Sequence, residues 1–161
     1  MTLSEFNQTV DIYADPIFRF LQRNLKDRHA AEDIVQECFE KLWKYRMNVD
    51  PDKIKSWLFT TAYHGAVDHF RRQNRWQPTE SLPASVASHT DGYSDVKERL
   101  NEAVDRLPEI QRMVVVLRDY EGYSYSEIGE ICNLNESQVK VYIYRARLFL
   151  KNYIGSKEVL V

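Results

Sequence analysis

Apolar residues recur at helical spacing through most of this chain, and nowhere do they alternate in twos over a useful length. That spacing lays one greasy stripe along an α-helix, so the chain is expected to be all-α. Phe6, Val10, Tyr13, Ile17 and Leu21 form a first stripe, in which Pro16 should kink or restart the helix. Asp27 can cap a second helix, with Ala31, Ile34, Val35, Cys38, Phe39 and Leu42 inward and acids outward. Asp50-Pro51 pairs a cap with a first-turn proline and starts a third helix, expected through Arg72. Ile54, Trp57, Leu58, Thr61 and Gly65 line one of its faces, and Phe59, Tyr63, Val67 and Phe70 another.

The pattern stops once. Trp76 to Tyr93 holds Pro78, Pro83, Ser81, Ser85, Ser88 and Gly92 without periodicity. Two small helical domains, 1–75 and 94–155, are therefore expected, joined by a flexible linker at 76–93. Helical spacing resumes at about Asp95–Leu107, Pro108–Tyr120, Tyr125–Cys132 and Glu136–Tyr153.

The net charge of −2 excludes a uniformly basic coat, so the distribution matters more than the sum. Lys53 to Arg75 carries Lys53, Lys55, Arg71, Arg72 and Arg75 against Asp68 alone. Ser137 to Lys151 carries Lys140, Arg145, Arg147 and Lys151 and no acid. Asp27 to Glu40 is the reverse, with Asp27, Glu32, Asp33, Glu37 and Glu40 against Arg28. Two contacts with polyanions and one with another kind of partner are expected. Cys38 and Cys132 lie far apart inside apolar patterns and read as buried free thiols. His29, His64, His69 and His89 show no metal spacing, and neither a nucleophile–base set nor a phosphate-binding glycine loop appears. No metal, cofactor, small-molecule substrate or enzymatic activity is expected. Without a signal peptide or a long apolar run, the expected location is the cytoplasm.

Ser124-Tyr125-Ser126-Glu127 is a capping box, with Tyr123 and Ile128 as its hydrophobic staple. Asn135-Glu136-Ser137-Gln138 is another, with Leu134 and Val139 as staple. Cys132-Asn133-Leu134 between them leaves room only for a tight turn, which makes a helix-turn-helix. At about 100° per residue, Val139, Ile143, Ala146 and Leu150 face one way, and Ser137, Val141 and Tyr144, flanked by Lys140 and Arg145, face the other. A valine and a tyrosine among cations suit the major groove, where methyls meet thymine and cations meet phosphates and guanines.

At this point the chain resembles a known family. Leu107-Pro108-Glu109-Ile110-Gln111-Arg112, Tyr120 through Ile128, Val139-Lys140 and Arg145-Ala146-Arg147 resemble region 4 of bacterial sigma factors. Ala31-Glu32-Asp33-Ile34-Val35-Gln36-Glu37-Cys38-Phe39 with Leu42-Trp43 resembles region 2.2. Trp57-Leu58-Phe59-Thr60-Thr61-Ala62, Asp68 and Arg71-Arg72 resemble regions 2.3 and 2.4. Two such domains with a short linker look like the extracytoplasmic-function group of RNA polymerase sigma factors.

The resemblance implies that the second domain binds the −35 promoter element as duplex. The first would bind and help open the −10 element and dock on core polymerase. It implies −35 contacts at Ser137, Gln138, Lys140, Val141, Tyr144 and Arg145, with Arg147 on phosphate. It implies −10 contacts at Asn48, Lys53, Lys55, Tyr63, His64, Arg71 and Arg72, Asn48 lying in a base-capturing loop. Phe59, Tyr63 and Phe70 would stack on exposed bases. Asp33, Gln36, Glu37, Phe39 and Trp43 would meet polymerase, while Phe39 and Trp43 also read as plain core. An anti-sigma factor, often membrane-bound in the family, is the implied third partner. Tyr63-His64, Ser137-Gln138 and Val141-Tyr142 depart from the family's usual Arg-Asn, Gly-Thr and Ser-Arg, and these positions would help set the promoter sequence.

Elements about 25 base pairs apart lie roughly 85 Å apart at 3.4 Å per pair. The linker spans at most about 60 Å and two domain radii add roughly 14 Å each, so it must be held nearly extended. The expectation is that polymerase supplies this extension and that the free chain is more compact. A stand-alone helix-turn-helix regulator would instead bind its operator without polymerase, usually as a dimer. A sigma-mimicking adaptor that sequesters an anti-sigma factor should have lost the basic residues Lys140, Arg145, Arg147, Arg71 and Arg72, all of which are present.

Overall fold

The computed structural model describes residues 1–76 and 92–159, and every regular element among them is helical. The first is α1 (Leu3–Leu25), capped by Thr2, whose hydroxyl accepts from the Glu5 N–H at 3.1 Å. Of the two outcomes expected at Pro16, a kink or a restart, the restart does not occur: Pro16 lies inside the single helix α1. Proline removes one helical hydrogen bond. Burial of Ile17, Phe20 and Leu21 just beyond it holds the helix together. The carboxylate of Asp27 accepts from the Ala30 N–H at 3.1 Å and starts α2 (Arg28–Lys44). Asp50 caps a single 3-10 turn at Pro51–Lys53, which leads into α3 (Ile54–Trp76), longer than expected at its C-terminal end. Gly65 lets α2 and α3 approach closely: a Cβ there would lie 2.7 Å from Ile34 Cγ2.

The buried stripe of α3 is Leu58, Phe59, Ala62, Ala66 and Phe70. Both faces drawn from the sequence contribute to it, because the helix is covered on more than one side.

The second half holds α4 (Gly92–Asp105), α5 (Glu109–Val115), α6 (Tyr125–Cys132) and α7 (Glu136–Val159). The single helix expected at Pro108–Tyr120 is α5 continued by a π-helical turn, Val116–Tyr120. Most of the expected linker, 76–93, lies outside the described residues.

The two halves touch. Core residues from Ile17 of α1 to Ala146 of α7 form one cluster. Phe59 on α3 is fully buried, with ring centroids 5.9 Å from Phe20 and 5.0 Å from Tyr123 of the second half, both edge-on. The Arg112 guanidinium is also buried, 5.4 Å over the Phe70 ring. It donates to Asn24 Oδ1 at 3.3 Å and to the Leu107 carbonyl at 3.1 Å. Burial pushes its pKa below the ordinary arginine value. Among the described residues, no helix is long and apolar enough to cross a membrane.

Candidate nucleic-acid interface

The geometry of α6 and α7 starts from local chemistry. Ser124 Oγ accepts from the Glu127 N–H at 3.1 Å, and Glu127 returns by accepting from the Ser124 N–H at 2.9 Å. The bond from the Ser124 N–H, with the nearby Lys55 ammonium, holds the Glu127 carboxyl below its usual range. Asn133 ends α6 in the left-handed region at φ 57°. The Leu134 carbonyl passes so close to Gly129 that a Cβ there would lie 2.6 Å from it. Asn135 and Gln138 then cap α7 reciprocally, at 2.8 and 2.9 Å. The turn is thus built from two caps, one left-handed residue and one glycine.

On α7 the expected division holds: Val139, Ile143 and Ala146 are buried. Ser137, Gln138, Lys140 and Arg145 are exposed, as are Val141 at 44% and Tyr144 at 67%. Among the described residues, no neighbouring element covers this face. Arg147 differs from the rest of the set. Its Nε donates to Asp119 Oδ2 at 3.1 Å, and this bond raises its pKa. Its guanidinium is held by an acid of the same fold, and the side chain remains exposed. Leu148, 45% exposed, continues the Val141–Tyr144 stripe one turn further and was missed, although its helical spacing carried the signal.

The first half separates the other expected residues by exposure. Asn48, Lys53, His64, Arg71 and Arg72 are exposed, with Arg72 paired to Asp68 at 3.2 Å. Tyr63 is half-buried, and desolvation raises its phenol pKa. Lys55 is half-buried: its ammonium lies 3.2 Å from Glu127 of α6 and 4.1 Å from the Tyr123 ring centroid. The expectation that Phe59 and Phe70 stack on bases is corrected, because both rings are interior.

Asp33, Gln36 and Glu37 stand exposed on α2. Phe39 is only 8% exposed and packs edge-on against Phe6, so its main role is core. Trp43, 37% exposed, meets the Phe6 ring at 5.1 Å and lies under the Arg46 guanidinium at 3.8 Å. Leu3, Phe6, Gln36, Phe39, Glu40 and Trp43 line a shallow hollow of about 600 Å³. Leu3 and Phe6 were not anticipated there, because they come from a different helix. Among the described residues no group of three or more potential metal ligands comes together. Cys38 and Cys132 are free and buried, and desolvation pushes both thiols up to about 12.

A two-part helical protein that presents an uncovered helix-turn-helix is the class these features define. Comparison with known proteins makes it specific. Residues 9–76 match the family model "Sigma-70 region 2", and residues 97–150 match "Sigma-70, region 4". The ECF RNA polymerase sigma factor SigM of Bacillus subtilis is 30% identical over 94% of this chain and 94% of its own length. SigW of the same organism is 31% identical over 92% of this chain and 88% of its own. Among solved structures, the sigma factor RpoE in complex with the anti-sigma factor NepR from Bartonella quintana shares the fold. Its TM-score is 0.77 at 22% identity, covering 95% of this chain and 98% of that one. The chain belongs to the sigma-70 family, in its extracytoplasmic-function group. It is an alternative sigma factor that binds core RNA polymerase and directs promoter-specific initiation, and it is not an enzyme.

Proposed function

We propose that the residues divide this work between two surfaces. Lys140, Val141, Tyr144 and Arg145, helped by Ser137 and Gln138 at the start of α7, read the −35 duplex. Asn48, Lys53, His64, Arg71 and Arg72 hold the −10 strands, joined by Lys55 and Tyr63 once these are freed. Asp33, Gln36, Glu37 and the rim of Trp43 meet polymerase. The domains are taken as 1–75 and 94–155, with the −10 and polymerase contacts in the first and the −35 contact in the second. The protein works in the cytoplasm, and its third partner is an anti-sigma factor, the kind of protein bound to the sigma factor in the structure from Bartonella quintana.

The observation that carries this reading is the outward face of α7: a valine and a tyrosine lie exposed between Lys140 and Arg145 while Val139, Ile143 and Ala146 are buried. Apolar exposure beside cations matches thymine methyls beside phosphates and guanines. Run-off transcription with purified core polymerase on genomic DNA tests it. Start sites that appear only when the chain is added support the assignment. Tight operator binding by the chain alone, without new start sites, would replace it with the stand-alone regulator.

A further inference from the structure

A hollow of about 330 Å³ opens between the C-terminal end of α1 and α4, and none of the residues assigned above to promoter or polymerase lines it. Arg19, Arg23 and Lys26 bring three cations to it, and Asp105 is the one acid among its lining residues. Arg19 and Arg23 sit one turn apart on α1, and Lys26 follows at its C-cap. Lys26 pairs with Asp105, and Arg19 pairs with Glu121 at 3.0 Å, yet about half of each cation's side chain stays exposed. Arg19 spends two N–H groups on Glu121, which leaves the others for a further acceptor. Arg23 lies 4.0 Å over the Tyr120 ring, and among the described residues no carboxylate pairs with it.

Charge is only part of the lining. Phe18 and Val104 give the hollow an apolar wall. The Phe18 ring is half-buried, with the Arg28 guanidinium 5.8 Å from its centroid. Gln22 lines the hollow as well, and its amide oxygen is buried with no hydrogen-bond partner among the described residues. An unpaired buried acceptor costs free energy, so this amide gains by turning to a donor.

We propose that this hollow binds a nucleotide, with Arg19, Arg23 and Lys26 on its phosphates, Phe18 against its base, and Gln22 accepting from a ribose hydroxyl or a base N–H. Arginine offers phosphate paired N–H donors in one plane, and an aromatic ring offers any base a stacking face. Inorganic phosphate would satisfy the cations but leave Phe18 and Val104 in water, whereas a base covers them. An acidic peptide would suit the charge, but the hollow lies at the small end of ligand pockets, roughly 300–1,000 Å³, and holds a compact group rather than an extended segment. The site uses none of the promoter-binding residues, so it stands independently of their division above.

Isothermal titration of the full-length chain with ATP tests the proposal. ATP should bind one to one. Adenosine and inorganic triphosphate should each bind about tenfold more weakly or worse, because each lacks one part of what the hollow recognises. Arg23→Gln should weaken ATP binding about tenfold. Phe18→Leu should weaken ATP several-fold and leave the weak binding of inorganic triphosphate unchanged, a separation that misfolding would not produce. Thermal melting without nucleotide shows whether each variant folds, and Phe18→Leu decides if Arg23→Gln does not. Absence of ATP binding at millimolar concentration, affinity untouched by either variant, or equal affinity for inorganic triphosphate overturns the nucleotide site. Loss of ATP binding in Arg145→Ala, with full binding in Arg23→Gln, places the ligand on the DNA-reading face and overturns it too. Displacement of ATP by hexaglutamate at lower concentration than by unlabelled nucleotide overturns it in favour of an acidic peptide.

Discussion

Arg145 and Asp33 are both exposed, on helices of opposite charge, and they separate the two duties of the chain. Arg145→Ala removes a cation from an acid-free stretch without touching the core. It should weaken binding of the −35 duplex by about 1–3 kcal/mol, about fivefold or more, and leave polymerase attachment intact. Asp33→Arg should do the reverse, cutting co-purification with core polymerase while −35 duplex affinity holds. Loss of the same activity in both would refute the division. Phe59 belongs to stability instead. Phe59→Ala should lower the urea unfolding free energy by about 3–5 kcal/mol, since a fully buried ring leaves a cavity between the halves. Tyr63→Ala should cost clearly less, because the tyrosine is only half-buried. Apolar identity alone did not separate the two in the sequence. Both sit on a helix with two apolar faces, and the neighbour that covers Phe59, Tyr123, lies far along the chain.

At the scale of elements, what was legible was what is local. Each cap of the helix-turn-helix is a hydrogen bond between residues three apart, so Ser124–Glu127 and Asn135–Gln138 are legible in the sequence. The apolar stripe of α7 followed from period alone. The π-helical turn at Val116–Tyr120 was not legible, because the apolar period does not separate one widened turn from a regular helix; Arg118 within it donates to the Tyr123 carbonyl at 3.0 Å. Nor was the filling of the hollow around Trp43, where α1 supplies Phe6. The tight turn gives its own prediction. Gly129→Ala drives a methyl into the Leu134 carbonyl, which is backbone and cannot swing aside. A loss of about 1–3 kcal/mol, the usual cost of overpacking, should appear as a lower melting temperature. Duplex affinity should fall with it, because α6 and α7 would separate. Asn135→Ala, which removes only a cap, should cost about 1 kcal/mol.

On the scale of the whole molecule, neither half has a large core, and small domains are marginal alone. The shared cluster around Phe59 and Tyr123 makes the closed chain one cooperative unit, and its buried ionisable groups make that unit sensitive to alkali. The thiols of Cys38 and Cys132 titrate near 9.0 when solvated and are pushed up to about 12 in the fold by loss of water. Desolvation raises the Tyr123 phenol as well. A raised acid binds its proton more tightly when folded. The stability it contributes is therefore complete below the unfolded value and drains away as pH climbs towards the folded one. Across that window each thiol should remove about 1.4 kcal/mol per pH unit. Urea titrations at successive pH values would show this as a falling unfolding free energy above pH 9. Cys38→Ala with Cys132→Ala should flatten the slope, whatever it does to the starting stability, because a methyl has no proton to lose. Tyr123 is present in both proteins, so the difference in slope isolates the thiols. Equal slopes would mean that the two sulfurs keep enough water in the folded chain to ionise as freely as in the unfolded one.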